Sequence, residues 1–155
     1  MQIINTRLFA VAVLAFVAVV APHGQTAYAE NAGATTATLY ERLGSWDGIE
    51  QIVADTIANH QKNPAIAHYF ADVDTAKLAG HVAAFFAAGT GGPSKYEGRD
   101  MTTTHATMGL SDADFDSAVA DVILALDQNG IGDAEKTEVA AILESLRPAV
   151  MGTGG

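Results

Sequence analysis

Residues 85–105 read FFAAGTGGPSKYEGRDMTTTH and carry the most specific pattern in the chain. An aromatic pair, Phe85 and Phe86, lies near the end of an apolar helical pattern, and four glycines and one proline interrupt that pattern between residues 89 and 98. Because glycine favours turns and proline cannot continue a helix, these residues predict an extended loop. A short helical segment from Met101 to Met108 follows the loop and contains His105.

On both sides of this loop, apolar residues recur at helical spacing, and no strand-like alternation occurs. A short turn from Leu39 to Leu43 comes first, and capping residues and helix-breaking residues mark four longer helices. Their predicted boundaries are Asp47 to Asn63, Asp74 to the glycine-rich loop, Ser111 to Asn129, and Asp133 to Arg147, before Pro148. The sequence therefore predicts an all-α domain with four main helices and a long central loop.

The two ends of the chain have the character of segments outside this domain. Residues 1–29 combine Arg7, an apolar run from Leu8 to Ala21, and the small residues Ala27 and Ala29 around Tyr28, a pattern typical of a signal peptide. We predict cleavage after Ala29 and export, in a bacterium to the periplasm; an uncleaved membrane anchor is the alternative. Residues 30–38 read as a flexible lead-in, 39–150 as one domain, and 151–155 as a disordered tail.

Composition excludes several classes of function. The chain has eight Lys and Arg against 18 Asp and Glu, and Arg7 is the only charged residue in the predicted signal peptide. Such an acidic protein should be repelled by nucleic acid and by anionic lipid, so neither is expected as a partner after signal removal. The absence of cysteine excludes thiol catalysis, cysteine-ligated zinc, iron–sulfur clusters and thioether-attached haem.

Two histidines, His81 and His105, lie on either side of the loop and are the candidate metal ligands. His81 belongs to the predicted apolar face of the helix that begins at Asp74. Its neighbours on that face, Leu78, Val82 and Phe85, offer no partner for its ring nitrogens. A metal could satisfy such an imidazole, and imidazole suits iron. The alternative is a structural histidine at each position, with His105 hydrogen-bonded to neighbouring threonines.

The pattern resembles the truncated haemoglobins, in particular their first group, over nearly all of the chain from Leu39 to Val150. Two aromatics, a glycine pair, a tyrosine, a second glycine, a methionine and then a histidine follow each other with the family's spacing across an irregular loop. The resemblance implies a two-over-two helical sandwich around a haem group. It also implies His105 as the proximal iron ligand and Phe70 as the phenylalanine that packs on the haem face.

Other positions carried over from the family define the remainder of the expected haem site. Lys95, Tyr96 and Arg99 lie where haem propionates are usually met, and a propionate gains charge-assisted hydrogen bonds from Lys or Arg. The resemblance places Leu78, Val82, Phe85 and Met101 in the pocket wall. Ile57 stands where the family usually presents a tyrosine that donates a hydrogen bond to bound oxygen, and Val82 stands where a glutamine often lies.

His81 occupies the helix position at which some first-group members, chiefly cyanobacterial ones, carry a second iron-binding histidine. The resemblance to this subset implies a six-coordinate iron held by His105 and His81. No histidine follows His105, so the covalent haem link of those relatives is absent and non-covalent haem b is expected. With the usual distal donors missing, oxygen retention should be weakened, because a hydrogen bond contributes about 1 kcal/mol.

The resemblance implies a haem protein that binds oxygen, nitric oxide and carbon monoxide in competition with His81. Nitric oxide or nitrite redox chemistry is one expected activity, and whether the protein is an enzyme stays open. The alternative is a periplasmic electron-transfer protein without turnover, because a saturated bis-histidine iron has no open position. A monomer or a weak dimer is expected.

Overall fold

The computed structural model describes residues 37–152, which include the whole predicted domain. The predicted signal peptide, most of the lead-in and residues 153–155 of the predicted tail lie outside the described residues. All regular structure in the described part is helical, as predicted. No helix in this part combines the length and the apolar character that crossing a membrane would require.

Six α-helices and one 3₁₀ helix follow each other between residues 37 and 152. The α-helices are α1 (Leu39–Arg42), α2 (Ser45–Lys62), α3 (Thr75–Gly89), α4 (Met101–His105), α5 (Asp112–Gln128) and α6 (Asp133–Val150), and the 3₁₀ helix is Ala67–Phe70. Side chains cap several helix starts: Asp74 accepts from the Lys77 amide, and Ser111 and Asp114 form a capping box. These caps satisfy backbone N–H groups that a helix start leaves without partners.

The long helices form two layers. Helix α2 packs against both α3 and α5, and α5 packs against α6, so that α2 with α3 faces α5 with α6. The most deeply buried side chains come from α2, α5, α6 and the α1 segment: Leu43, Ile49, Ile52, Leu126 and Val139. This is the two-over-two arrangement expected from the sequence.

Helix α4 ends at His105, before the predicted Met108, and two boundaries of the long helices also differ from the predicted ones. Helix α2 begins at Ser45 rather than at Asp47, because Gly44 adopts the left-handed conformation (φ 90°) that allows the chain to enter the helix there. Helix α6 continues through Pro148 to Val150 instead of ending before the proline. Because Pro148 has no amide proton, the hydrogen bond to the carbonyl of Glu144 is missing. The last turn of α6 persists to Val150 without this bond.

The predicted apolar face of α3 holds except at His81. Phe86, with Ala83 and Ala87, is buried in the core. Leu78 and Val82 are half-buried and pack against that core, whereas His81 is exposed. The predicted stripe therefore reaches the core through Leu78 and Val82 but not through His81.

The glycine pair after α3 permits a close crossing of two chain segments. Gly91 has φ 92°, and a Cβ at Gly92 would lie 2.7 Å from the Ala87 carbonyl oxygen and 3.0 Å from the Tyr40 ring. The Tyr40 amide donates a 2.8 Å hydrogen bond to the Thr90 carbonyl oxygen. The end of α3 is thus fixed against α1 at a place where only glycine fits without a shift.

Candidate cofactor site

A largely apolar cavity of about 310 Å³ lies among the helices. Every long helix contributes to its wall, together with the 3₁₀ helix, the central loop and α4. Eight of the predicted site residues line this cavity: Phe70, Leu78, His81, Val82, Phe85, Tyr96, Met101 and His105. Residues that the sequence separates widely, including both candidate ligands, are therefore brought to one cavity.

His105 is held at the end of α4 by the local structure of that short helix. Asp100 caps the helix by accepting hydrogen bonds of 2.8 Å from the Thr103 amide and from the Thr103 hydroxyl. These bonds, the amide bond first, hold the pKa of the Asp100 carboxyl below its usual value. The His105 Nδ1 lies 2.8 Å from the Met101 carbonyl oxygen.

The contact with Met101 determines which His105 nitrogen can act as a ligand. A carbonyl oxygen only accepts hydrogen bonds, so the Nδ1 of His105 must be the donor and carries the proton. The Nε2 of the neutral ring is then left with a free lone pair, which is the form in which imidazole binds a metal. The neighbouring threonines are the alternative partners expected for His105. Among the described residues, their hydroxyls make no hydrogen bond to the His105 ring.

His81 lines the same cavity from α3. Its side chain is exposed, and within residues 37–152 it makes no hydrogen bond to another residue. The expectation that this histidine lies in the core is therefore wrong. Its exposure leaves the ring free to change rotamer without disturbing the packing of α3 on α2.

The loop between the two histidines contacts α3 through Tyr96. The Tyr96 ring meets Phe85 edge to face, with centroids 5.2 Å apart, and its hydroxyl donates to the Arg99 carbonyl oxygen at 3.2 Å. The predicted contact of Tyr96 with a propionate stays a prediction. Lys95 and Arg99 are exposed, do not line the cavity, and form no ion pair with the described residues. Their role as propionate partners stays a prediction.

Ile57 does not line the cavity, in contrast to the sequence-based expectation. It is buried in the core, with 6% of its surface exposed, and the preceding residue, Thr56, lines the cavity instead. Successive residues on an α-helix point about 100° apart, so a displacement by one position exchanges a core residue for a cavity residue. The α2 wall therefore presents a hydroxyl where an apolar side chain was expected.

Sequence reasoning also missed a polar pair at the cavity. The place of His60 near the C-terminal end of α2 predicts only solvent or helix-end carbonyls as its partners, but its Nδ1 lies 2.9 Å from the Asp121 carboxylate. Its ring stacks on Phe70 with centroids 5.2 Å apart. The helical spacing from Thr56 to His60 placed both on one face of α2, but no local pattern signals a partner 61 residues away.

A second such pair joins the 3₁₀ helix to α5. The Tyr69 hydroxyl donates to Asp114 at 3.2 Å, and both residues line the cavity. Burial raises the pKa of Tyr69, and the Asp114 charge adds to this effect. Hydrogen bonds from Ser111 hold the pKa of Asp114 below its usual value. Tyr69 is therefore a neutral donor that is already occupied.

These residues fit a haem group better than a bare metal ion. Within residues 37–152, no group of three or more His, Cys, Asp or Glu side chains is placed to hold a metal. A porphyrin supplies the equatorial ligands itself and requires from the protein only axial imidazole and an apolar wall. The free Nε2 of His105 and the apolar lining provide both.

Comparisons with known proteins agree with this fit. Residues 38–151 match the family model described as bacterial-like globin. The group 1 truncated haemoglobin GlbN of Synechocystis sp. is 35% identical over 68% of this chain and 88% of its own length.

Solved structures give the same result. The truncated haemoglobin from Tetrahymena pyriformis in its Fe(III) form has a TM-score of 0.72 and 26% identity, covering 74% of this chain and 98% of that one. The 2/2 haemoglobin from Synechococcus sp. PCC 7002, in the cyanomet state with covalently attached haem, has a TM-score of 0.70 and 25% identity over 75% and 99% of the two chains. The chain belongs to the group 1 truncated haemoglobins of the bacterial-like globin family.

Proposed function

We propose that this haem-binding globin holds its iron between His105 and His81 and binds diatomic gases by displacement of His81. Membership of the family supports haem b as the cofactor and diatomic gases as its ligands. The observation that carries the finer proposal is that two imidazoles on separate elements, α3 and α4, line one apolar cavity. The bound iron supplies a redox-active centre to which a diatomic ligand or nitrite can bind.

The two histidines are held differently, and this difference supports His105 as the fixed ligand and His81 as the displaceable one. His105 is oriented by the Met101 carbonyl, which fixes its tautomer and the direction of Nε2. No described hydrogen bond orients the exposed His81. Gas ligands would then compete with His81 alone, and the apparent affinity falls by the fraction of protein in which His81 is detached.

We propose nitric oxide or nitrite conversion as the reaction of this site, following export to the periplasm. The Ile57 side chain lies in the core, and Leu78 and Val82 in the cavity wall are apolar, so these positions provide no donor to retain oxygen. A site without the usual tyrosine and glutamine donors suits redox chemistry better than storage. Inert iron, with no displacement of His81 by carbon monoxide in stopped-flow mixing, would instead indicate an electron-transfer protein.

The absorption spectrum of the ferrous protein tests the coordination. The wild type should show the split visible bands of low-spin, six-coordinate iron, and His81→Ala should show a five-coordinate, high-spin spectrum. His68→Ala is the matched control, because His68 is an exposed histidine that does not line the cavity. A high-spin spectrum in the wild type, or a low-spin spectrum that survives in His81→Ala, would contradict the proposal.

A further inference from the structure

We infer that His60 is the proton donor of the haem cavity and that Asp121 is the positioning residue that orients its ring. This inference rests on the proposed function, because it concerns the nitrite or nitrogen-oxide chemistry of the same cavity. The residues involved lie outside the pair of proposed iron ligands, on α2 and α5.

The His60 ring is fixed on two sides. Its Nδ1 lies 2.9 Å from the Asp121 Oδ2, and the two side chains are only 12% and 11% exposed. Phe70 stacks on the ring at 5.2 Å with an angle of 25° between the planes. The Asn63 side-chain amide donates to the same Asp121 oxygen at 3.0 Å. The carboxylate is therefore well bound, and its position determines the orientation of the imidazole.

This arrangement leaves one nitrogen of His60 for the cavity. An ionised carboxylate only accepts hydrogen bonds, so Nδ1 carries a proton and donates it to Asp121. The Nε2 of His60 has no hydrogen-bond partner among residues 37–152, and the side chain lines the cavity. When Nε2 also carries a proton, the ring is cationic and its 2.9 Å contact with Asp121 is an ion pair.

The other titratable groups of the cavity wall are less suited to donate a proton. They are Tyr69, His81, Tyr96, His105 and Asp114. The Tyr69 and Tyr96 hydroxyls are occupied, by Asp114 and by the Arg99 carbonyl oxygen. His81 and His105 are the proposed iron ligands, and neither is paired with a carboxylate. His60 alone on the described cavity wall combines a free ring nitrogen with a carboxylate partner.

Conversion of nitrite to nitric oxide requires such a donor. The reaction takes one electron, which ferrous haem supplies, and two protons; one N–O bond breaks, and the oxygen leaves as water. We assign the first proton to His60: its Nε2–H bond breaks, the proton passes to a nitrite oxygen, and the neutral ring keeps Nδ1–H bonded to Asp121. Solvent supplies the second proton and recharges the ring.

The test compares three variants of the ferrous holoprotein under anaerobic conditions. His60→Phe keeps an aromatic ring beside Phe70 but carries no proton, and Asp121→Asn keeps an acceptor for Nδ1–H but no charge. Gln128→Ala is the matched control, because Gln128 bonds to Asn59 in the same α2–α5 contact but touches neither His60 nor the Asp121 carboxylate. The measurements are the rate of nitric oxide formation against pH and the rate of carbon monoxide binding, which consumes no proton.

His60→Phe and Asp121→Asn should slow nitric oxide formation about tenfold or more and flatten its rise towards acid pH, since a general acid commonly contributes ~10²–10⁴ in rate. Carbon monoxide binding should be unchanged in both, and Gln128→Ala should behave as wild type in both assays. Normal carbon monoxide binding with an undiminished nitrite rate in His60→Phe would overturn the inference. Failure to take up haem or to bind carbon monoxide in the wild type would overturn the proposed function instead.

A measurement without turnover further separates the role of His60 from the proposed function of the protein. Nitrogen-15 NMR of the histidine-labelled carbon monoxide form reads the proton on each ring nitrogen. In the wild type and in Gln128→Ala, a His60 ring with a single proton should carry it on Nδ1, which lies 2.9 Å from Asp121, and Nε2 should be the nitrogen that gains and loses the second proton. A single proton on Nε2 in the wild type would overturn the assignment of His60, whatever the protein does with nitrite.

Discussion

His105 shows how a single backbone contact prepares a side chain for metal binding. The Met101 carbonyl, one helical turn earlier in α4, takes the Nδ1 proton and leaves Nε2 as the free nitrogen. Asp100 fixes the start of the same helix through Thr103, so the orientation of the ligand is determined within six residues, 100–105. A ligand that is oriented before the metal arrives loses little side-chain entropy on binding.

His105→Gly should abolish the normal attachment of haem, because it removes the fixed ligand and leaves only the exposed His81. Added imidazole should enter the space and restore an absorption spectrum close to that of the wild type. The measurement is a titration of the variant with imidazole, followed in the visible bands. His68→Gly, which alters a histidine outside the cavity wall, should need no imidazole; a wild-type spectrum of His105→Gly without imidazole would contradict the assignment.

At the scale of single residues, spacing predicts which side chains share a helix face but not which residues meet across helices. The loop pattern placed His105, Tyr96 and Met101 at the cavity, because that pattern is local. The position of Ile57 was wrong by one residue, since a helix turns by about 100° at each step. The partner of His60 lies 61 residues away and depends on how α5 packs on α2, which no local pattern records.

At the scale of elements, α3 connects the core to the cavity. Phe86 belongs to the buried core and also lines the cavity, and the half-buried Leu78 and Val82 pack against the core and line the cavity as well. The sequence predicted this inward face but included the exposed His81 in it, because helical spacing does not record where a buried face ends. The crossing at Gly92 fixes the C-terminal end of this helix against α1, and with it the position of His81.

Gly92→Ala should destabilise the protein by about 1–3 kcal/mol, the usual cost of adding a methyl group where there is no room. The added Cβ would lie 2.7 Å from a backbone oxygen, that of Ala87, which cannot move without displacing α3. Urea unfolding followed by circular dichroism measures the change.

Gly89→Ala is the control for this substitution. Gly89 is the last residue of α3, has no atom within 4 Å of an added Cβ, and is not in the left-handed region. Its replacement should leave stability unchanged or raise it by up to ~1 kcal/mol, because alanine is the better helix former. Equal losses in the two variants would mean that the crossing at Gly92 is not tight.

At the scale of the whole molecule, the two layers meet through a small group of fully buried aliphatic side chains. Leu126 of α5 has no exposed surface and packs with Ile52 of α2 and Val139 of α6. The same helix presents Leu124 with 47% of its surface exposed. The fold class could be predicted because this alternation of buried and exposed leucines follows the helical repeat.

Leu126→Ala should lower the free energy of unfolding by about 2–5 kcal/mol, the usual range for a leucine truncated in a closed core. Leu124→Ala, with the same change of residue in the same helix, should stay within ~0.5 kcal/mol of the wild type. Urea unfolding of both variants makes the comparison. A similar loss in the two proteins would show that the layers do not meet at Leu126.

The attachment of α1 has a mechanical consequence. Arg42 forms 2.6 Å ion pairs with Glu135 and Glu138 of α6, and the Tyr40 amide is bonded to the end of α3. A force that pulls on the chain ahead of residue 37 would therefore load both layers at once through α1. Once α1 detaches, the crossing at Gly92 loses its support, so traction on the N-terminal side would loosen the helix that carries His81.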